Sequence, residues 1–208
     1  MGKIHSINIS EQKGVKKNPV NKAVIDSKGI QGDGHSGDWH RQVSFLPLES
    51  ILSFNSVAKM ETKPGEFGEN ITTSGVDLKQ LKIGDRLMIL KPDAGISDII
   101  SGIEFKGKEE LRSKEELNTK EGLGAKKELG AEEELDTKKE LSIKEEFFTA
   151  QNFPESSVVL ELTQIGKECH TPCRIFYEVG RCIMPTEGIF FKVIKTGEIM
   201  PGDDVIFL

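Results

Sequence analysis

The chain has little cysteine, a single tryptophan, a single tyrosine and no long apolar run. Its 208 residues include three Cys, four His, one Trp and one Tyr. Three cysteines are too few, and the wrong number, for the disulfide framework of a small secreted fold. An odd set in a reducing compartment points to thiol chemistry or a metal site. No segment reaches the roughly 20 apolar residues of a membrane span, and Met1-Gly2-Lys3-Ile4-His5 has no signal-type apolar core. A cytoplasmic protein without membrane association is therefore expected. With a net charge of −6 and a pI near 5.4, the chain also lacks the basic excess of a nucleic-acid binder.

Several motifs are missing as well. There is no Walker loop, no strand–Gly-x-Gly-x-x-Gly–helix unit and no His-Glu-x-x-His helix. These absences remove the commonest nucleotide, dinucleotide and zinc-protease readings.

What is present reads mainly as strand. Residues 3–10 (Lys-Ile-His-Ser-Ile-Asn-Ile-Ser), 22–25, 43–46, 86–90, 158–163 and 188–194 are short apolar or β-branched runs bounded by turns. A polar turn is expected from Gly14 to Pro19. Pro47 suits a helix start, and Leu48, Ile51, Leu52 and Val57 lie near helical spacing up to about Met60. Ile83–Leu90 and Pro201–Leu208 echo each other, each a Gly-Asp turn feeding an apolar strand. Together these features predict a mainly β domain, a barrel with a few short helices.

Composition changes abruptly between Leu90 and Val158. Leu111, Leu117, Leu123, Leu129, Leu135, Leu141 and Phe147 recur every six residues in a Lys/Glu-rich background. Six residues advance roughly 600° around a helix, so these side chains make no single apolar stripe. The period is not a coiled-coil heptad, and so much Lys and Glu is poor strand material. Residues 91–157 are expected to be a low-complexity insertion, disordered or weakly helical, within a hairpin of the domain formed by 1–90 and 158–208.

The densest chemistry lies at Gly166-Lys167-Glu168-Cys169-His170-Thr171-Pro172-Cys173-Arg174-Ile175, where strand is expected to give way to a turn. All three cysteines fall here or at Cys182. A thiol reacts as its thiolate, which nearby cations favour. Cys173 has Arg174 beside it and His170 three residues before it, with Arg181 expected a short strand away. It is the candidate nucleophile, against the alternative of a buried structural cysteine. Cys169, His170, Cys173 and Cys182 offer a second alternative, a Cys₃His zinc site, although their spacing lacks a Cys-x-x-Cys pair. A glycine-rich loop, Gly29–Gln42, carries two His, two Asp and an Arg, and reads either as a solvated connection or as a polar site. Glu66-Phe67-Gly68-Glu69-Asn70 adds carboxylates and an amide beside a glycine.

These motifs in this order resemble the MOSC domain, the C-terminal domain of molybdenum-cofactor sulfurases, in its small stand-alone bacterial form. The resemblance is carried by Gly32-Asp33-x-His35, His40–Ser44, Pro64–Ile71, Ile83–Leu87, Gly166–Cys173, Met184–Phe190 and Pro201–Asp203. It covers nearly everything outside residues 91–157. It implies a β-barrel and one characteristic cysteine, here Cys173 of Pro172-Cys173, proposed to carry sulfur towards a metal–sulfur centre. Gly32, Asp33, His35, Arg41, Glu66, Gly68, Glu69 and Asn70 would line the same cleft and hold molybdopterin, Arg41 meeting its phosphate. A cysteine desulfurase would be the separate sulfur donor, because the chain is too short for a pyridoxal-phosphate domain. Molybdenum-cofactor biosynthesis proteins or a molybdoenzyme would be the other partners. The resemblance leaves two alternatives to a sulfurtransferase: a non-catalytic molybdopterin-binding module, and a molybdenum-dependent reductase of N-hydroxylated compounds.

Overall fold

A computed structural model describes residues 2–92, 153–167 and 174–208; for Arg174 it describes the backbone alone. Eleven strands are present in the described residues: β1 (Gly2–Ile9), β2 (Asn18–Val20), β3 (Ala23–Asp26), β4 (Gly29–Ile30), β5 (Val43–Pro47), β6 (Ile71–Ser74), β7 (Arg86–Leu90), β8 (Val158–Ile165), β9 (Ile189–Lys195), β10 (Gly197–Ile199) and β11 (Asp204–Phe207). Helix α1 (Leu48–Ala58) joins β5 to β6, and two short helices, α2 (Arg174–Val179) and α3 (Met184–Glu187), lie between β8 and β9.

One sheet runs β11-β7-β8-β9-β5-β6-β1-β2, and a further β11–β1 pairing closes seven of these strands into a barrel. Closure removes the sheet edges that would otherwise expose unpaired backbone groups. The two echoing segments supply adjacent staves, with Asp204 opposite Leu90 and Phe207 opposite Leu87. β7 and β8 pair antiparallel, Arg86 opposite Glu161 and Ile89 opposite Val158, although the long insertion separates them in sequence. β5 and β6 are parallel, which a tight turn cannot connect; α1 makes that crossover. The helix has Pro47 at its N-cap, Glu49 in its first turn and left-handed Lys59 at its C-cap.

Alternation along β5 and β9 divides the apolar residues into two cores. Val43, Phe45 and Phe191 point inward with Ile4, Ile7, Ile71, Leu87, Leu160 and Val205. Phe45 and Phe191 meet with ring centres 4.7 Å apart. Leu46 and Phe190 point outward, where Ile51 and Phe54 of α1, Phe67, Ile175 of α2 and Met184 of α3 cover them. A second sheet, β10-β3-β4, adds Ala23, Ile25, Ile30 and Ile199 to the inner core.

The barrel with few helices is as expected; several local features differ. The expected turn around Gly14–Pro19 ends in strand β2, because Asn18, Pro19 and Val20 pair with Ile9, Asn8 and Ile7. Pro19 is tolerated there because β2 is the outermost strand of the sheet. The connection between Arg174 and Arg181 is helix α2, not a strand. Ile175 at its first turn is buried among apolar side chains, and that packing overrides local strand propensity. By contact, the described residues of 1–94 and 155–208 form one unit. The hexad repeat lies outside the described residues.

Candidate functional site

A cleft opens on the outer wall of the barrel, where Ser44 of β5 and its cross-strand partner Phe190 of β9 stand side by side. Three segments complete it. The glycine-rich loop contributes His35, Trp39 and Arg41; the loop before β6 contributes Gly68 and Asn70; Lys167 follows β8. Met184 of α3 closes the apolar side.

Each segment is held by identifiable bonds. Asp33 is buried, and Lys17 Nζ donates to both its carboxylate oxygens at 2.6 Å. The same carboxylate accepts from the Ser10 N–H at 3.2 Å and the His35 N–H at 2.9 Å. Burial alone would raise the Asp33 pKa, but His35 and Lys17 beside it reverse that and hold it well below the usual carboxylate range. Burial also draws Lys17 downward. At 2.6 Å from both oxygens, however, the pair is ionised. Further along the loop, Trp39 Nε1 donates to the His35 carbonyl at 2.8 Å. Gln42 donates to the Ser27 and Gly37 carbonyls at 2.7 and 3.1 Å, and accepts from the Val193 N–H at 2.7 Å.

The Glu66–Asn70 segment is tied by its last two residues. Asn70 Oδ1 accepts from Ser44 Oγ at 2.9 Å, and the Asn70 N–H donates back to that hydroxyl at 3.0 Å. Glu69 is fully buried, with Oε1 accepting from the Gly65 N–H at 2.6 Å and Thr72 Oγ1 at 3.0 Å. Its Oε2 has no hydrogen-bond partner among the described residues, and burial pushes the carboxyl pKa up. Gly65 has φ +87°, and a Cβ there would lie 2.4 Å from the Lys17 carbonyl oxygen. The Lys17 N–H in turn donates to the Gly65 carbonyl at 2.8 Å. Lys17 thus ties both loops together, one through its side chain and the other through its backbone.

The exit from β8 is equally determined. The register shifts between Leu162 and Gln164. Thr163 Oγ1, in that interval, donates to the Phe190 carbonyl at 3.0 Å and also contacts the His40 carbonyl. Gly166, at φ +72°, donates to the Gly188 carbonyl at 2.7 Å; a Cβ there would lie 2.2 Å from the Pro185 carbonyl oxygen. Only glycine fits so close an approach, and Lys167 follows it into the cleft.

Of the residues singled out from sequence, His35, Arg41, Gly68 and Asn70 come together in this cleft. Asp33 and Glu69 sit behind its wall, while Gly32 is exposed and Glu66 half-buried. Cys173 and His170 lie outside the described residues, as does Cys169. Arg174 begins α2, and Cys182 packs partly buried against the outer core. Sequence reasoning missed Lys17, Ser44, Trp39, Lys167 and Phe190 as site residues. Lys17 carries no motif signal, since its partner is 16 residues away; the Gly166-Lys167 pair could have drawn attention to Lys167.

A larger groove between α1 and residues 75–79 contains Glu49, Ser50, Lys79 and Glu187. Its polar groups satisfy one another. Glu49 accepts from the Gly75 N–H at 2.8 Å, Lys79 pairs with Glu187 at 3.3 Å, and Ser50 donates to Glu187. Glu187 of the Met184–Phe190 motif reaches it, but none of the candidate site residues from the sequence reading does. Among the described residues, no cluster of three His, Cys, Asp or Glu side chains is arranged to hold a metal ion, and no helix is long and apolar enough to cross a membrane.

A closed barrel with a cation-bearing cleft on its outer wall is the class of protein that the geometry defines. The family model for the MOSC domain matches residues 32–105. That match falls on the family which the motifs resemble. Its fold is similar to that of the YUAD protein from Bacillus subtilis, with TM-score 0.58 and 16% identity over 99% of this chain and 94% of that one. It is similar also to YiiM from Geobacillus stearothermophilus, with TM-score 0.55 and 14% identity over 100% and 75% of the two chains. At such identities the likeness is one of fold. No curated protein matches the sequence.

Proposed function

We propose that this protein is a sulfur carrier acting on molybdenum cofactor, with Cys173 as the thiol that bears the sulfur. One observation supports the assignment most. The described residues on either side of the Cys173 segment both reach the cleft region. Lys167 lines the cleft, and Ile175 packs with Met184 and Phe190, two of the residues lining it. The same cleft presents Arg41 and Lys167, suited to an anionic molybdopterin substrate.

In the proposed step, the Cys173 thiolate attacks the outer sulfur of a persulfide on a desulfurase-type donor. A new sulfur–sulfur bond forms at Cys173, the donor's sulfur–sulfur bond breaks, and the donor leaves as its thiolate. His170 and Arg174 would favour the attacking anion. The persulfide would then serve a molybdenum-cofactor biosynthesis protein or a molybdoenzyme.

Mass spectrometry of the intact protein after incubation with a cysteine desulfurase and cysteine tests this reading. A gain of one sulfur atom on Cys173, lost in Cys173→Ser, is expected. Sulfur uptake that persists in Cys173→Ser, or no uptake by either protein, would reject it.

A further inference from the structure

A thiol must give up its proton before its sulfur can attack, and that proton needs a destination. Arg41 and Lys167 line the cleft as cations, with no lone pair to receive it. His35 lines the same cleft and belongs to the one side-chain type that exchanges a proton near neutral pH. The other described histidines are placed differently. His40 Nε2 meets Gln164 Oε1 at 3.0 Å, and His5 is exposed on β1.

His35 is held in one orientation. Its N–H donates to Asp33 Oδ1 at 2.9 Å, and its carbonyl accepts from Trp39 Nε1 at 2.8 Å. The ring's Nδ1 is buried, has no hydrogen-bond partner among the described residues, and lies 3.6 Å from the same Asp33 Oδ1. At that distance the two make a charge contact rather than a hydrogen bond, of the kind that tightens when a reacting complex assembles. Asp33 is itself immobilised, by Lys17 Nζ at 2.6 Å from both oxygens and by the Ser10 N–H at 3.2 Å. An ionised carboxylate repels a lone pair turned towards it, so Nδ1 carries the hydrogen and the neutral ring keeps its lone pair on Nε2. The His35 side chain is 21% exposed although Nδ1 is closed off. The Nε2 edge is therefore the polar edge offered to the cleft.

We infer that His35 Nε2 is the proton acceptor for a thiol brought into the cleft, with Asp33 as the residue that positions it. The thiol S–H bond breaks, the proton moves to Nε2, and the sulfur keeps the electron pair. After attack on the donor persulfide, the imidazolium returns that proton to the donor's leaving thiolate. Arg41 and Lys167 oppose a positive ring but favour the thiolate, and the Asp33 carboxylate behind the ring offsets their repulsion, its own charge shared with Lys17. The identity of the thiol, Cys173, rests on the carrier reading above; the orientation of the ring does not.

Alkylation of the full-length protein by iodoacetamide across the neutral pH range, with Cys173 followed by peptide mass spectrometry, tests the couple. Cys173 should react about tenfold or more slowly at neutral pH in His35→Gln than in the wild type, with the midpoint of its pH profile moved upward. Asp33→Asn should show a smaller loss of the same sign. Nitrogen NMR of histidine-labelled protein gives a readout that needs no variant to fold. In the wild type His35 should be the Nδ1–H tautomer, and its titration midpoint should fall once Cys173 is alkylated, because the imidazolium then loses its thiolate partner. An unchanged alkylation profile in folded His35→Gln, an Nε2–H tautomer, or a His35 titration indifferent to Cys173 alkylation would each overturn the inference. A protein that takes up sulfur while His35 and Cys173 titrate independently loses this inference alone. One whose His35 and Cys173 titrate together but which takes up no sulfur loses only the carrier reading.

Discussion

Lys17 Nζ lies 2.6 Å from both carboxylate oxygens of Asp33, and neither side chain reaches solvent. The pair fastens the glycine-rich loop, while the Lys17 N–H fastens Gly65 of the other polar loop. Lys17→Met leaves the Asp33 charge buried and unpaired, and should cost about 3–5 kcal/mol of stability. The double variant Lys17→Met/Asp33→Asn should lose less than the two single losses added together. Urea denaturation of all four proteins measures both numbers, and additive losses would show that the pair is not coupled.

The acid side of the stability profile should carry the mark of Asp33. Its folded pKa is depressed, so its contribution is present above the ordinary carboxylate pKa of about 4. That contribution is lost as pH falls towards the folded value. Denaturation midpoints between neutral pH and pH ~3 should fall more steeply for the wild type than for Asp33→Asn.

Glu69 should act with the opposite sign. Its folded pKa is raised by burial, so its contribution is present at acid pH and fades as pH climbs through the raised value. Glu69→Gln keeps an acceptor for Gly65 and Thr72 and removes the buried charge. The variant should gain stability relative to wild type as pH increases, by about 1–3 kcal/mol at neutral pH. A constant difference across pH would refute the assignment.

Gly166→Ala meets both a positive φ and a backbone oxygen 2.2 Å from the new Cβ. The loss should exceed about 1 kcal/mol. Gly84, at φ +96° with open space around its Cβ position, is the control: Gly84→Ala meets the backbone strain without the clash, and urea denaturation should show a smaller loss than for Gly166→Ala.

Phe191, fully buried and packed on Phe45, should cost about 3–5 kcal/mol when cut to Ala. Leu52, 57% exposed on α1, should shift stability by no more than about 0.5 kcal/mol. Thermal melts of the two variants side by side check the division between core and surface.

Much of the barrel was legible in the sequence because strands report themselves locally. Val43–Leu46, Arg86–Leu90 and Val158–Thr163 are β-branched or apolar runs between turn residues, and each became a strand. Helix α2 was not legible. Six residues are too few to show a period, and the burial of Ile175 that favours the helix depends on residues far away in sequence.

Local sequence was enough to mark most of the barrel strands, the glycines at its turns and the motifs that resemble the MOSC domain. Those are short-range properties of backbone sterics and side-chain hydrophobicity. That Asp33 and Glu69 are buried as fasteners while Arg41 and Lys167 line the cleft follows from the fold alone. Whether a charged side chain meets a partner or open space depends on which distant strands become neighbours, and barrel closure brings Lys17, Arg41, Asn70 and Lys167 into one neighbourhood across long stretches of chain.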